Sequence, residues 1–480
     1  MTERTADICV IGAGSGGLSV AAGAAQMGAR VVLIERNMRP GGIMGGDCLH
    51  TGCVPSKALL AAAHQAHALG EGAIFGVEPQ PAVVDFVRVQ EHVAGVIANI
   101  APTDSTARFE DLGVTVIEGQ ARFVNRREVE VDGERIRANH FVLATGSEPA
   151  VPPVKGLEDI DYFTNETIFA NEEMPDHLVV LGGGPIGLEL AQAHRRLGSR
   201  VTVVEMARPL SRDDPELAEA VVNNLRDDGV NILAESRIDS VTRYGERRIS
   251  VQLRTGGQSQ TLEASHLLVA AGRKRVVDGL DLGAAGVRFS EEGIRVDKRL
   301  RTSNRRISAI GDCVDGSPQF THLAAYHAGI VIRNAVLKLP ASVDMRAFPW
   351  VTYTDPELAH VGLTEEQARD LHKNVRVVRW NYEENDRAQT ERRTDGMIKL
   401  VAKKNGRILG VSIVGHNAGE VIQPWILAMS RKLKVSAVAG YIAPYPTLGE
   451  LNKRAAGQFY APTIFGPLVR AYVRFRQRVI

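Results

Sequence analysis

Two cysteines with four residues between them are the side chains of this chain best suited to redox chemistry. Cys48 and Cys53 lie in Gly45–Lys57, just before a stretch rich in Ala and Leu that is typical of a helix. The positive end of a helix stabilises a thiolate and so lowers the pKa of a nearby thiol. Cys9 and Cys313 belong to strand or turn positions elsewhere, which argues against a zinc site. Four cysteines in 480 residues form no structural disulfide framework, so we expect the pair to be redox-active.

A glycine-rich turn near the start of the chain predicts a dinucleotide site. The apolar residues 8–11 read as a strand that ends at Gly12, and an Ala-rich helix follows the turn. Gly12 permits the tight turn, Gly14 lets a pyrophosphate approach the backbone, and Gly17 lets the helix pack closely on the strand. A second strand ends in Glu35, so the phosphates are expected at the helix N-terminus.

The same arrangement recurs later in the chain, so we expect two dinucleotide folds. The strand-like residues 178–181 lead into a glycine turn, a helix and a second strand. The residues of this second site are Gly182, Gly184, Ile186, Gly187 and Glu205.

Glu35 and Glu205 each end the second strand of their unit, where a carboxylate can accept hydrogen bonds from a ribose diol. At the second site this favours NAD(H) over NADP(H). Arg208 and Arg212 lie nearby and leave room for a 2′-phosphate, so NADP(H) stays the less favoured alternative.

Composition narrows the class of protein. The chain has 57 basic and 56 acidic side chains, so no long-range electrostatic field favours a polyanionic partner, and we expect no binding of nucleic acid. The start of the chain carries Glu3 and Asp7 and does not resemble a signal peptide. We therefore expect a cytoplasmic location. No run of about eighteen uncharged apolar residues occurs, so we also expect no membrane-spanning helix.

Two short motifs after apolar runs predict domain junctions, namely Ala144-Thr145-Gly146 and Ala271-Gly272-Arg273. From about Met345 onward the glycine turns stop. Alternating residues 397–401 and 408–414 then predict an α+β domain with an antiparallel sheet.

In all these motifs and in their order, the chain resembles the flavoprotein disulfide reductases, the group that includes dihydrolipoamide dehydrogenase, glutathione reductase and mercuric reductase. The resemblance covers roughly residues 5–460 and includes residues 309–312 and 353–357. It implies an α/β fold with two Rossmann-like dinucleotide-binding domains, for FAD and NAD, plus a C-terminal α+β dimerisation domain. The implied boundaries are 1–147 with 274–344 for FAD, 148–273 for NAD(P), 345–462 for dimerisation and 463–480 for a basic amphipathic tail.

The resemblance also assigns cofactor contacts. Glu35 would hold the FAD adenosine ribose, Ala121 would contact adenine through its backbone, and Asp312 would bind the ribityl chain. A helix starting near His322 and Leu323 would point its amides at the flavin, where a positive helix end stabilises reduced flavin. The remaining residues assigned to the cofactors are Gly46, Asp47, Lys57, Ala144, Thr145, Gly146 and Gly272.

By the same resemblance, electrons pass from NADH to FAD and on to the cysteine pair. Cys53 would lie beside the flavin, and Cys48 would exchange with the substrate. Lys57 matches a lysine that pairs with a glutamate close to the flavin, and Glu189 matches that glutamate.

The C-terminal segment departs from the pattern of dihydrolipoamide dehydrogenase and glutathione reductase. Tyr445 stands where those enzymes have a proton-shuttling histidine, and Glu450 follows it as expected. A tyrosine, with a reference pKa near 10, is a poor general base at neutral pH. Mercuric reductase resembles this chain in having a tyrosine here, yet its C-terminal cysteine pair has no counterpart after Cys313.

The acceptor therefore stays open at this stage: a disulfide, a metal ion, a quinone or another small oxidant. We predict an FAD-dependent pyridine nucleotide-disulfide oxidoreductase that works as a homodimer, with Tyr445 and Glu450 reaching the partner subunit's active site and no metal as a resident cofactor. Two alternatives are a non-catalytic redox-sensing flavoprotein and an external flavoprotein dehydrogenase or quinone reductase without a working disulfide. His50, between the cysteines, is either a proton donor or thiolate partner, or a loop residue without a role.

The last residues form a separate feature. Residues 467–480 carry four arginines among apolar side chains and read as a short amphipathic helix. The sequence leaves open whether this tail docks on the protein's own surface or on an anionic membrane or a membrane protein.

Overall fold

The computed structural model describes residues 3–245 and 248–479. Met1, Thr2, Glu246, Arg247 and Ile480, which belong to the predicted domains and tail, lie outside the described residues. By its internal contacts the chain divides into two units. The first holds residues 1–182, 193–201 and 237–343, and the second holds 183–192, 202–236 and 344–480.

The helices, in chain order, are α1 (Ser15–Gln26), α2 (Gly46–His50), α3 (Cys53–Ala68), α4 (Phe86–Ile100), α5 (Thr106–Asp111), α6 (Pro185–Leu197), α7 (Pro215–Asp227), α8 (Thr321–Val331), α9 (Glu365–Leu371), α10 (Asp386–Thr390), α11 (Ala418–Val421), α12 (Gln423–Ser430), α13 (Val435–Gly440), α14 (Glu450–Ile464) and α15 (Pro467–Val479).

The strands are β1 (Glu3–Ile11), β2 (Val31–Glu35), β3 (Val114–Glu118), β4 (Arg122–Asn125), β5 (Glu128–Val131), β6 (Glu134–Leu143), β7 (Ser147–Pro149), β8 (His177–Leu181), β9 (Arg200–Val204), β10 (Asn231–Leu233), β11 (Ser236–Tyr244), β12 (Arg248–Thr255), β13 (Gln258–Ala264), β14 (His266–Val269), β15 (Arg273–Arg275), β16 (Phe289–Ser290), β17 (Gly293–Ile294), β18 (Ile307–Ala309), β19 (Pro349–Thr352), β20 (Glu357–Gly362), β21 (Val375–Asn381), β22 (Met397–Lys403) and β23 (Ile408–Gly415).

The main sheet of the first unit has the strand order β3-β2-β1-β6-β5-β4, and β18 also pairs with β6. β1 runs parallel to β2 and β6, with Ile8 opposite Val31 and Ile11 opposite Leu143. Residues 8–11 are all buried, as expected for a parallel strand that is covered on both faces. The first predicted βαβ unit is therefore present.

Gly12 and Gly17 have the structural roles that the sequence predicted. Gly12 has φ +102°, and a Cβ there would lie 2.4 Å from the Ala144 carbonyl oxygen. At Gly17 a Cβ would lie 1.8 Å from the Gly12 carbonyl oxygen, so α1 can approach β1 only where no side chain intervenes.

The second glycine turn repeats these contacts. β8 runs parallel to β14 in the first unit, and Gly182 follows β8 with φ +120°. A Cβ on Gly182 would lie 2.3 Å from the Ala270 carbonyl oxygen, which corresponds to the position of Ala144 in the first turn. In the second unit β9 runs parallel to β10, so the strands expected near Glu205 are present.

The two predicted junction motifs are neighbours in space. β7 follows Ala144-Thr145-Gly146, β15 begins at Arg273, and the two strands pair antiparallel. The Thr145 hydroxyl donates to the Val276 carbonyl at 2.6 Å. The short antiparallel ladder of β7 and β15 therefore holds the two junction segments side by side.

The C-terminal part of the second unit is built on an antiparallel sheet of order β19-β20-β23-β22-β21. Its core includes the buried residues Ile398, Leu400, Val411 and Trp425. The antiparallel arrangement predicted from residues 397–401 and 408–414 is confirmed.

The tail forms the predicted helix α15, and all of its residues are exposed. Docking of the tail on its own chain, one of the two alternatives that the sequence left open, is thus absent from the described residues. Within residues 3–245 and 248–479, no helix is both long and apolar enough to cross a membrane.

Substitution of Gly17 tests the close packing of α1 on β1. Gly17→Ala should lower the free energy of unfolding by about 3 kcal/mol, because the new methyl group meets backbone that cannot rotate away. The midpoint of urea unfolding, followed by circular dichroism, measures this. Gly95→Ala is the matched control, since no atom lies within 4 Å of a Cβ there and the change in exposed α4 should stabilise by up to about 1 kcal/mol. Equal midpoints for the two variants would contradict the packing account.

Candidate active site

The two cysteines lie on consecutive short elements of the first unit. Cys48 is in α2, and Cys53 is the first residue of α3, so its thiol lies at the positive end of a sixteen-residue helix. Both are free thiols, with Cys53 exposed and Cys48 half-buried. The two thiols are near enough for each to be the largest influence on the pKa of the other. This is the proximity that a reversible disulfide needs.

The pKa values of the two thiols shift in opposite directions, so one cysteine of the reduced pair carries most of the negative charge. The hydrogen bond from Cys48 lowers the pKa of the Cys53 thiol to about 6, with further stabilisation from the Thr321 hydroxyl and the charge of Lys57. Partial burial and the charge of Asp47 act in the opposite direction. The same hydrogen bond, together with burial, raises the pKa of Cys48 above its usual value. At neutral pH the reduced pair is therefore a Cys53 thiolate beside a Cys48 thiol.

Thr321 is a site residue that the sequence reasoning missed. Its hydroxyl lies 3.3 Å from the Cys53 sulfur, and it is the first residue of α8. His322 and Leu323, which the resemblance assigned to the flavin, therefore lie in a helix turn that begins beside the cysteine pair. The Leu323 amide donates to the Phe320 carbonyl at 3.1 Å. The resemblance assigned the adjacent His322 to this helix start, but nothing in the sequence pointed to the Thr321 hydroxyl.

Asp47 accepts hydrogen bonds from neutral side chains and forms an ion pair with an arginine. Thr51 donates its hydroxyl to Asp47, and the Asn165 amide donates to Asp47 at 2.9 Å and to the Thr51 carbonyl at 3.1 Å. Arg273 completes the cluster with an ion pair to the other Asp47 oxygen at 3.0 Å. The junction motif that contains Arg273 thus also fixes the loop between the two cysteines.

The cysteine loop packs directly on the first glycine turn. The Gly45 amide donates to the Ala13 carbonyl at 3.0 Å, and a Cβ on Gly46 would lie 2.9 Å from the Gly14 Cα. By contrast, no atom lies within 4 Å of a Cβ placed on Gly14 itself. Gly14 therefore faces open space beside the cysteine loop, as the predicted approach of a pyrophosphate requires.

Glu35 and Glu205 have matching surroundings in their two folds. Each accepts one hydrogen bond at 2.6 Å from an amide of its glycine turn, at Ala13 and Gly183 respectively. Each accepts a second at 2.8 Å from the amide two residues ahead, at Asn37 and Ala207. A carboxylate has about four acceptor positions, so both retain the capacity to accept ribose hydroxyls. The sequence predicted these carboxylates but not their amide anchors.

Other residues assigned to FAD fit that cofactor. Asp312 is partly buried, and burial raises its pKa although it accepts a hydrogen bond from Ser147 at 2.7 Å. A carboxylate held in this way retains positions for the hydroxyls of a ribityl chain. Ala121 is buried, and its carbonyl accepts from the Gln120 amide at 3.2 Å. Together with the open space at Gly14, these groups are suited to a dinucleotide with a polyol chain.

Lys57 and Glu189 belong to different units, and each is described within its own. Lys57 lies one turn into α3 and donates to the Ser56 hydroxyl at 3.3 Å. Glu189, in α6, is buried and accepts from the Tyr353 amide at 2.9 Å. Their pairing stays a prediction from the resemblance.

Tyr445 and Glu450 lie at the C-terminal end of the second unit. Tyr445 is exposed and donates its hydroxyl to Asp386 at 2.8 Å, and this hydrogen bond raises the pKa of Tyr445 above its usual value. Glu450, the first residue of α14, lies 3.8 Å from the Arg454 guanidinium. Asp386 thus holds the Tyr445 hydroxyl as a hydrogen-bond donor.

The loop histidine His50 has a structural partner. Its Nε2 atom lies 2.7 Å from the Met44 carbonyl oxygen, which fixes the ring to the backbone of its own loop. His327, in α8, is buried, and its Nδ1 atom accepts from the Gly311 amide at 3.2 Å.

Two family models match the chain over most of its length. The model described as pyridine nucleotide-disulphide oxidoreductase matches residues 6–328. The model of the dimerisation domain of the same enzymes matches residues 348–456. The C-terminal sheet is therefore a dimerisation domain, and the protein is a homodimer.

Known proteins of several activities are similar to the chain. The mercuric reductase of Lysinibacillus sphaericus is 36% identical over 462 residues, which cover 96% of this chain and 83% of that protein. The dihydrolipoyl dehydrogenase of Geobacillus stearothermophilus is 35% identical over 466 residues, with 93% and 94% covered. Among solved structures, the Cu(II) complex of the HOCl-induced flavoprotein disulfide reductase RclA from Escherichia coli has a TM-score of 0.83 and 29% identity, with 93% and 98% covered.

These matches confirm the predicted α/β fold class, the oxidoreductase activity and the use of FAD and a nicotinamide dinucleotide. The geometry of the cysteine pair, the two glycine turns and the family matches lead to one conclusion. The chain belongs to the pyridine nucleotide-disulphide oxidoreductase family, as an FAD-dependent enzyme that transfers electrons between NAD(P)H and a disulfide or metal substrate.

Proposed function

We propose that this enzyme uses NADH to reduce a thiophilic metal ion that is held by Cys48 and Cys53. The observation that carries the proposal is the state of Tyr445, whose hydroxyl donates to Asp386 and whose pKa is raised. Oxidation of a dithiol needs a group that accepts a proton, and a tyrosine in this state is not one. Transfer of a soft metal ion from a thiolate carrier needs no such base, because the released carrier thiolate takes up the proton of the cysteine that replaces it.

The charge on the cysteine pair suits this task. Bound FAD would supply, from hydride of the nicotinamide, the electron pair that breaks the Cys48–Cys53 disulfide. Two electrons and one proton then give a thiolate and a thiol. The pKa directions favour a thiolate on Cys53 and a proton on Cys48. The resemblance implies that Cys48 is the cysteine that exchanges with the substrate.

The surrounding residues act by positioning. Arg273 and Asn165 hold Asp47, and Thr321 donates its hydroxyl to the Cys53 thiolate. Lys57 lowers the pKa of Cys53 through its positive charge, and its predicted partner is Glu189.

The domain limits expected from the sequence form part of the proposal. Residues 1–147 with 274–344 bind FAD, 148–273 bind the nicotinamide dinucleotide, and 345–462 form the dimerisation domain. Tyr445 and Glu450 would reach the partner subunit's cysteine pair. Glu205 favours NADH, since its carboxylate would repel a 2′-phosphate. The cytoplasmic location stays a prediction from the sequence.

The relatives support two acceptors. Mercuric reductases and a Cu(II) complex of a disulfide reductase favour a metal ion, whereas dihydrolipoyl dehydrogenases favour a small disulfide. The second candidate rests on the intact cysteine pair itself, which is competent for thiol–disulfide exchange. Because Tyr445 is a poor proton acceptor, we rank the small disulfide below the metal ion as the acceptor.

Removal of the cysteines tests whether the pair lies on the path to the acceptor. Cys48→Ala and Cys53→Ala should each lower NADH-dependent reduction of Hg(II) or Cu(II) thiol complexes by about a hundredfold or more, because no dithiol remains to hold the metal. Reduction of a small quinone by the same variants should persist, since it needs no disulfide. Steady-state oxidation of NADH, followed with each acceptor and with lipoamide, measures both.

Cys9→Ala is the matched control for loss of a thiol, because Cys9 is buried in the main sheet of the first unit and is remote in sequence from the pair. It should leave all rates unchanged. Unchanged metal reduction in Cys48→Ala would exclude the cysteine path, and faster lipoamide than metal reduction in the wild type would favour the second candidate.

The hydrogen bond from Thr321 predicts a pH dependence of the reduced enzyme. Below its pKa, Cys53 is a neutral thiol, so the thiolate-to-flavin absorbance of the two-electron-reduced protein should fall as the pH drops through about 6. Thr321→Val removes a donor to the thiolate and should move this midpoint to higher pH, whereas Thr321→Ser keeps the hydroxyl and should not. Anaerobic reduction by one equivalent of dithionite, followed by a spectroscopic pH titration, measures the midpoint. Equal midpoints in all three proteins would show that Thr321 does not stabilise the thiolate.

A further inference from the structure

The C-terminal helix α15 carries two different faces. Leu468, Tyr472, Phe475 and Val479 are spaced at i, i+4, i+7 and i+11, so they share one side of the helix. All four are exposed, with Leu468 exposed by 87% and the others by 62–65%. An apolar stripe of this kind, left exposed among the described residues, marks an interaction surface.

The opposite side of α15 is basic. Arg470, Arg474 and Arg478 follow at i, i+4 and i+8, and the Arg474 guanidinium donates to the Arg470 carbonyl at 3.3 Å, consistent with their common face. Arg476 lies at the border of the apolar stripe, where a long side chain can bury its stem and keep its charge in water.

The end of the chain differs in charge from the rest of the protein. Residues 451–480 contain six Lys and Arg side chains and no Asp or Glu, although the whole chain has a net charge of only +1. The partner of α15 must therefore be apolar on one side and anionic around it. A second copy of the helix fits poorly, because it would bring arginines together without any acid from this segment.

We propose that α15 docks on the surface of an anionic lipid membrane, with Leu468, Tyr472 and Phe475 among the acyl chains and its arginines at the phosphate level. The exposed stripe provides the apolar contact, and Arg470, Arg474 and Arg478 provide attraction to anionic headgroups. A helix of thirteen residues with four arginines lies in the interface and does not cross the bilayer. This surface is independent of the redox chemistry and of the acceptor.

Vesicle sedimentation with the full-length FAD-bound enzyme tests the proposal. The probes are vesicles of phosphatidylcholine alone and vesicles in which about a third of the lipid is phosphatidylglycerol. The wild type should bind the anionic vesicles, and raised NaCl should weaken this binding. The variant with Arg470→Gln, Arg474→Gln and Arg478→Gln should bind about a hundredfold more weakly. The variant with Leu468→Ser and Phe475→Ser should also lose binding.

A matched control removes the same number of charges elsewhere. Lys373→Gln, Lys404→Gln and Arg431→Gln change three exposed cations of the same unit and should leave vesicle binding intact. NADH oxidation in solution should be the same in all these variants. A preserved rate shows that a variant is folded, so a loss of binding is not a loss of structure.

Three results would overturn the proposal. The first is no binding of the wild type to anionic vesicles, and the second is equal binding to neutral and anionic vesicles. The third is conversion of the dimer to a monomer, seen by sedimentation velocity, when the chain is ended after Gly466. That outcome would make a second copy of this chain the partner of α15.

Discussion

The contact between two glycine-rich turns determines where the chemistry of this enzyme occurs. Gly45 donates its amide to the Ala13 carbonyl, and Gly46 lies so close to Gly14 that any side chain would collide with it. The loop that carries both cysteines is thereby fixed on the turn that is built to receive a pyrophosphate. Because a Cβ at Gly46 would meet the backbone of Gly14, position 46 tolerates no side chain, and the placement of the cysteine loop depends on this contact.

Within that frame, the Cys53 thiolate is stabilised by several modest groups. The Cys48 thiol and the Thr321 hydroxyl act through hydrogen bonds, and Lys57 acts through its charge. Asp47 opposes them, and its ion pair with Arg273 offsets part of its charge. A thiolate stabilised in this way stays nucleophilic, which suits a group that must form and break a disulfide on each turnover.

Much of the fold could be predicted from the sequence because its signals are local. Gly12, Gly14 and Gly17 are diagnostic of a strand, a turn and a helix within a dozen residues, and the apolar residues 8–11 indicate a buried parallel strand.

Thr321 could not be found in this way. It lies 268 residues from Cys53 in the chain, and a threonine at the start of a helix is ordinarily a neutral choice. The Asn165–Asp47 contact, 118 residues apart, escaped prediction for the same reason. The periodicity of residues 467–479 predicted a helix, but only the structure showed that all of these residues are exposed.

The central claim is that Cys48 and Cys53 work in series with the flavin, and the most direct test is an anaerobic titration of the oxidised enzyme with NADH and then with NADPH. After two electrons, the account predicts a long-wavelength absorbance from the Cys53 thiolate beside oxidised flavin, with NADH as the better reductant. Simple bleaching of the flavin without that absorbance would mean that the cysteines are not coupled to it, and would contradict the account.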